Sequence, residues 1–303
     1  MEEIPLRSPD SLSWVPQPTK DGSFTFFSEE FGETFHSQEG AKAEAFQKFA
    51  QATNLVEKAQ SGHLRLLDVC YGLGYNTAAA LETIWAANPA CVVEVYGLEL
   101  DATVPQAAIA PLLIASWSAP IQEILQAIAE RHSYQDARLQ AILLIGDARQ
   151  TIQDIQQTKF QADAIFFDPF SPRRCPQLWT VEFFASVAAC LAPDGKLATY
   201  SRSASVRSAM REAGLAIGTI PLDSQKTYAA HEWSQGTVAA FQADSLHPLS
   251  KMEQEHLQTR AATPYRDPTL QDAADVILQR HQQEQQMSCM ESTSSWRRRW
   301  GIR

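Results

Sequence analysis

The sequence predicts a doubly wound α/β fold, a mostly parallel seven-stranded sheet covered by helices on both faces. Three observations predict it. Short apolar runs that suit buried strands alternate with segments of helical spacing from residue 64 to residue 242. A glycine-bearing turn, DVCYGLGYNT at 68–77, joins the first strand to its helix. Four successive strand ends carry a carboxylate, and open parallel sheets bind ligands beyond the carboxyl ends of their strands.

The elements follow in order. Residues 1–60 read as an acidic extension packing on the core. It holds two short strands, FTFFS and ETFH, and a helix over 41–52. The central domain spans 61–244. LRLLDVC at 64–70 is a buried strand and NTAAALETIWAA at 76–87 its helix. CVVEVYGLEL at 91–100 is the second strand, followed by a helical region over 103–116. QEILQAIAERH at 122–132 is an extra helix inserted before the third strand, 139–147. ADAIFFD at 162–168 is the fourth strand. An amphipathic helix over 178–192 is stopped by Pro193-Asp194-Gly195. KLATYS, a helix over 205–214, and strands over 215–222 and 237–242 complete the set. The last two strands lack a full helix between them, which suits an antiparallel edge hairpin. From 245 to 303 the chain is rich in Gln and Glu and reads as a helical tail.

Composition sets further bounds. The 303 residues carry a formal charge of −10, which argues against a general nucleic-acid binder. An RNA partner would need local basic patches. Two qualify: Arg173 and Arg174 with Arg202, Arg207 and Arg211, and the terminal WRRRWGIR. The five cysteines form no C-x-x-C, so neither a zinc site nor a disulfide framework is expected. No apolar run approaches a membrane span and the N-terminus is no signal peptide, so a cytoplasmic protein is expected.

Each strand end suggests a chemistry. Gly72 and Gly74 allow a tight turn and close approach of a ligand, with the dipole of the helix starting near Asn76 aimed at it. Thr77 stands where a dinucleotide fingerprint needs glycine, which weakens a hydride-transfer reading. Glu99 lies at the interval where an acid takes ribose hydroxyls. Asp147 suits an adenine amine, with the Ala148 N–H on a ring nitrogen; it is equally an ideal helix N-cap. No P-loop lysine is present, so the acids suit a positively charged nucleoside, as S-adenosylmethionine is. Asp168 ends the fourth strand, where it can orient an amine and accept its proton. Pro169 stiffens the turn and Phe170 offers a face for stacking a base.

The motif D-x-x-x-G-x-G-x-N resembles the first motif of class I S-adenosylmethionine methyltransferases, whose fold is Rossmann-like. The run 163–218 is more specific. Its strand-end acid, basic proline loop, P-Q-L-W, Phe-rich helix, LATYS and V-R-x-x-x-x-E-A-G resemble the methyltransferase half of the bacterial bifunctional enzymes that make 5-methylaminomethyl-2-thiouridine at the tRNA wobble position. FTFFSEEFGETFH and GLELD resemble that family upstream. The resemblance covers about residues 24–241. It implies methylation of the aminomethyl group of 5-aminomethyl-(2-thio)uridine in the tRNA anticodon, with S-adenosylmethionine as donor. It places Asp68, Tyr71, Gly72, Gly74 and Asn76 at the donor loop, Glu99 on the ribose, Asp147 and Ala148 at the adenine, and Asp168 at the methyl. Phe170, Arg173, Arg174 and Trp179 fall on the substrate side, although a Trp opening an amphipathic helix is more often core.

Three positions depart from the family pattern: Cys70 stands for glycine, Tyr75 for leucine, and Asp168-Pro169 for Asp-Gly. The flavin-dependent half has no counterpart in the residues after 241, so a stand-alone methyltransferase fed with the free aminomethyl form is expected. An aminopropyltransferase-like enzyme or other small-amine methyltransferase, and a non-catalytic donor- or tRNA-binding accessory protein, are the alternatives.

Overall fold

The structure is a computed structural model that describes residues 14–222 and 233–302. Its centre is an eight-stranded sheet: β1 (His63–Val69), β2 (Val92–Glu99), β3 (Ser133–Gln135), β4 (Leu139–Ile145), β5 (Ala162–Phe167), β6 (Leu191–Thr199), β7 (Ala216–Ile220) and β8 (Gly236–Ala240). The order is β7-β8-β6-β5-β1-β2-β4-β3. The inner five strands pair in parallel. β8 runs antiparallel to β6 and β7, which is the expected edge hairpin. β3, three residues long and antiparallel to β4, is an eighth strand that its polar sequence did not announce.

Alternation along the strands builds a core on each face. Leu64 and Leu66 of β1 enter one apolar cluster, Leu67 and Val69 the other. The principal helices are α1 (Tyr75–Ala87), α2 (Ala119–Arg131), α3 (Ala148–Gln157), α4 (Val181–Ala188) and α5 (Ala204–Glu212). α4 is shorter than its apolar spacing predicts. Thr180 caps it by accepting from the Phe183 N–H, and Leu191 already belongs to β6. The predicted helical stretch 103–116 divides into Thr103–Ala108 and Pro111–Ile114. Proline restricts the residue before it to extended backbone, which accounts for the break.

The N-terminal extension packs on the first cluster through Phe26 and Phe49. Two-residue strands Phe27–Ser28 and Glu33–Thr34 form a hairpin. The helix expected over 41–52 is α-helical only at Ala41–Glu44. It then widens to a π-turn at Ala45–Ala50, with the Gln51 N–H reaching the Phe46 carbonyl. The tail carries α6 (Lys251–His256), α7 (Ala274–Met287) and α8 (Thr293–Trp300). Trp296 of α8 is buried and stacks on His256 at 4.0 Å. Among the described residues no helix is long and apolar enough to cross a membrane.

Candidate active site

The strand order reverses beside β1, whose neighbours are β2 and β5. The loops after β1, β2 and β5 therefore diverge there and leave a crevice at the carboxyl edge. Two chambers occupy it, and the hairpin covers both. Asp168, Phe35 and Phe170 line both and form the wall between them.

The first chamber is built from the β1 and β2 loops. It is lined by Cys70, Gly72, Glu99, Asp101, Cys175 and Asp168, with Trp14, Phe31 and Phe35 as an aromatic roof. Gly72 holds a φ of +53°, and its N–H donates to the Glu99 carboxylate at 2.8 Å. Glu99 also accepts from the Asp101 N–H at 3.0 Å. Burial still holds its pKa above the usual carboxylate range. Gly74 has no room for a side chain: a Cβ there would lie 2.6 Å from the Tyr71 hydroxyl. Cys70 holds a left-handed φ of +69°. For a non-glycine residue that costs on the order of 1 kcal/mol.

Four carboxylates, those of Glu30, Glu99, Asp101 and Asp168, line this chamber, and among the described residues no Lys, Arg or His does. Asp68 lies beneath, fully buried. Its Oδ2 accepts from the Thr77 hydroxyl at 2.7 Å, and its Oδ1 has no partner among the described residues. Burial and then the nearby Asp168 and Glu99 raise its pKa well above normal. A cavity of this charge is complementary to a cation with hydroxyl and amine donors, and a sulfonium nucleoside is such a ligand. The chamber is narrow, about 100 Å³, against roughly 300 Å³ or more for common ligand sites. Admission of a nucleoside therefore requires the aromatic roof to shift.

The second chamber, about 510 Å³, lies on the far side of Asp168. Asp168 is half-buried, and its Oδ2 accepts from the Asn76 amide at 2.9 Å. Desolvation raises its pKa to about 7; the Asn76 bond opposes the rise, Glu44 adds to it, and Lys48 lowers it. Glu44 and Lys48 line the same chamber and pair at 2.5 Å. The Asp168-Pro169-Phe170 turn is fixed from behind. The Tyr200 hydroxyl donates to the Pro169 carbonyl at 2.9 Å, and the Trp179 indole N–H to the Phe170 carbonyl at 2.7 Å. Phe170 stacks on Phe31 at 4.5 Å. His36 lines the chamber, and burial lowers its pKa to about 4, so it is neutral near pH 7.

The sequence-expected residues divide accordingly. Gly72, Glu99, Asp168 and Phe170 converge. Asn76 lines the second chamber, beside Asp168, and is absent from the donor-side lining where it was expected. Tyr71 turns away from both chambers into the core beneath β2 and β4, against Gly97 and Leu143. Asp147 caps α3 and is held by the Arg149 guanidinium at 2.7 Å; Ala148 behind it is buried in the second cluster. Trp179 is core, with no exposed surface. Arg173 and Arg174 are exposed on the loop after β5, and a Cβ on Gly32, which lines the second chamber, would lie 3.4 Å from the Arg174 guanidinium. Arg207 is not part of a basic patch. It is buried and paired with Glu253 of α6 at 2.8 Å, because α5 turns it toward the tail.

Glu33, Phe31, Phe35, Glu44 and Lys48 were not expected at the site. For Phe31, Glu33 and Phe35 the only sequence signal was the family likeness of FTFFSEEFGETFH; Glu44 and Lys48 lie outside that stretch and carried none. Tyr75, a departure from the family, accepts from the Phe24 N–H at 3.1 Å and so ties the extension to α1.

A family profile described as S-adenosyl-L-methionine-dependent methyltransferase matches residues 109–230. The crystal structure of MnmC2 from Aquifex aeolicus is 31% identical, covers 92% of this chain and 87% of its own, and superposes with a TM-score of 0.77. The chain belongs to the MnmC2 methyltransferase family. It is an S-adenosylmethionine-dependent methyltransferase of class I fold. An uncharacterised protein of Methanocaldococcus jannaschii is 29% identical over 267 residues, covering 86% of this chain and 69% of its own length. The tRNA 5-methylaminomethyl-2-thiouridine biosynthesis bifunctional protein MnmC of Polaromonas naphthalenivorans is 26% identical over 223 residues. The chain spans about a third of the length of that relative, 34%.

Proposed function

We propose that this methyltransferase acts on the primary amine of 5-aminomethyl-(2-thio)uridine at the wobble position of tRNA, in the cytoplasm. The observation that carries the reading is Asp168 standing between two chambers, one rich in carboxylates and, among the described residues, free of cationic side chains, the other wide enough for a base. The names of the bifunctional relatives give the product, 5-methylaminomethyl-2-thiouridine in tRNA, from which the substrate amine is inferred.

In this reading Glu99 takes the ribose hydroxyls and Gly72 lets the backbone approach the donor. S-adenosylmethionine, when bound, supplies an electrophilic methyl group. Asp168, ionised above its pKa of about 7, orients the amine N–H groups and accepts the proton that methylation releases. Phe170 and Phe35 keep water from the wall between the chambers. Arg173 and Arg174, which form no ion pair among the described residues, meet the phosphates of the anticodon arm.

The test is mass spectrometry of tRNA nucleosides from a deletion strain. Accumulated aminomethyluridine with loss of its methylated form is the expected result. An unchanged wobble-nucleoside profile would refute the assignment.

A further inference from the structure

Asn76 is the second residue of α1, just after the glycine turn, where a donor ligand is expected, yet its side chain serves the other chamber. It is 3% exposed. It lines the substrate chamber with Asp168, and its amide donates to Asp168 Oδ2 at 2.9 Å. Its neighbours on α1 are fixed: Tyr75 is tied to Phe24, and Thr77 to Asp68. The amide therefore has little freedom to turn elsewhere.

An amide N–H only donates, so it does not compete for the proton that the carboxylate must accept. It stabilises the ionised form and leaves one oxygen available. We infer that Asn76 is a positioning residue for Asp168, holding Oδ2 so that Oδ1 meets the substrate nitrogen, and is not a ligand of the methyl donor. The inference rests on the proposed role of Asp168. It also links the donor loop to the acceptor, since a residue in the first turn of the helix that follows the glycine turn fixes the carboxylate across the crevice.

Other groups act on Asp168 and set the background. Glu44 faces it from the end of the short α-helix before the π-turn and Lys48 from the π-turn, and Asp68 and Cys70 from the end of β1. Tyr200 faces it from the end of β6, and Glu99 shares the donor chamber with it. Among these Lys48 is the only cation. Asn76 is the only side chain with a hydrogen bond to the Asp168 carboxylate among the described residues.

The experiment compares wild type, Asn76→Ala and Asn76→Asp in three readouts. The first is donor affinity by calorimetry with S-adenosylmethionine. The second is the titration of the Asp168 carboxyl by carbon-13 NMR without donor, assigned with Asp168→Asn. The third is the pH profile of kcat/KM. Expected for Asn76→Ala are a donor Kd within about threefold of wild type and a carboxyl midpoint about one pH unit higher. Activity should fall at pH 7 and recover near pH 9. Asn76→Asp places a second acid within hydrogen-bond reach and should move the midpoint further up. A donor Kd raised tenfold or more with an unmoved carboxyl midpoint would overturn the inference. Should wild type methylate no tRNA amine, the substrate assignment falls while the carboxyl titration still decides the role of Asn76.

Discussion

Glu33 and Ser171, 138 residues apart in the chain, share two hydrogen bonds. The Glu33 carboxylate accepts from the Ser171 N–H at 2.9 Å and from its hydroxyl at 2.5 Å. One partner lies in the N-terminal hairpin and the other in the loop that carries Asp168. The pair therefore latches the aromatic roof, Phe31 and Phe35, over both chambers.

That latch should govern how long the methyl donor stays bound. Losing hydrogen bonds to a charged group costs about 1.5–3 kcal/mol. Glu33→Ala should accelerate donor release by roughly tenfold in stopped-flow measurements. An unchanged release rate would show that the roof opens without breaking this contact.

Asp168 carries opposite consequences for turnover and stability. Its pKa is raised to about 7, so the ionised base appears as pH rises through that value. The acid limb of kcat/KM should therefore have its midpoint near pH 7. Asp168→Asn should lower turnover by about a hundredfold or more, while donor affinity stays within about tenfold. The folded state binds this proton more tightly than the unfolded chain, whose carboxylate titrates near ~3.9. Stability is therefore lost as pH rises from about 4 to about 7. Asp168→Asn should raise stability at pH 8, by up to about 4 kcal/mol. Urea denaturation at pH 5 and pH 8 checks the sign: the stabilisation should be larger at pH 8.

Glu99 is the donor-side acid best placed to bind. Its raised pKa means that it protonates at a higher pH than an ordinary carboxylate. Donor affinity should fall as pH drops toward 5, and Glu99→Gln should weaken binding by about tenfold at pH 8. Calorimetry at the two pH values measures both effects.

Arg207 and Glu253 form a buried pair that joins α5 to the tail. Glu253 also accepts from the Thr219 hydroxyl at 2.9 Å. Removing one partner strands a buried charge, so Glu253→Ala should cost about 3–5 kcal/mol in urea denaturation. Replacing both residues with apolar ones of similar volume should cost much less.

Much of the frame was legible. Strand and helix alternation, the glycine turn and the strand-end acids rest on local spacing, and local spacing survives in a sequence. What was hidden depends on distant partners. Arg207 looks like a solvated arginine until Glu253, 46 positions later in the sequence, is seen against it. Asn76 looks like a donor ligand by its place after Gly74, and only the fold brings it to Asp168. The π-turn at Ala45–Ala50 was read as ordinary helix, because the two differ by one residue per turn while the apolar pattern stays similar. Of the two readings of Asp147, adenine acceptor or helix N-cap, the structure shows the N-cap, held by Arg149.

The terminal arginines have changed meaning. Arg299 pairs with Glu255 and Glu291, and Trp300 donates to Glu255, so this end of the tail is packed. Arg297 and Arg298 remain exposed. Arg297→Ala with Arg298→Ala should weaken tRNA binding more at low salt than at high salt. Equal binding at both salt concentrations would confine α8 to a structural role.

The most direct measurement incubates the purified protein with S-adenosylmethionine and tRNA carrying 5-aminomethyluridine, then identifies the nucleosides by mass spectrometry. Wild type should gain one methyl group on the side-chain nitrogen, and Asp168→Asn, still binding the donor, should gain almost none. Methylation at full rate by Asp168→Asn, or a methyl group found on any other atom, would contradict the account.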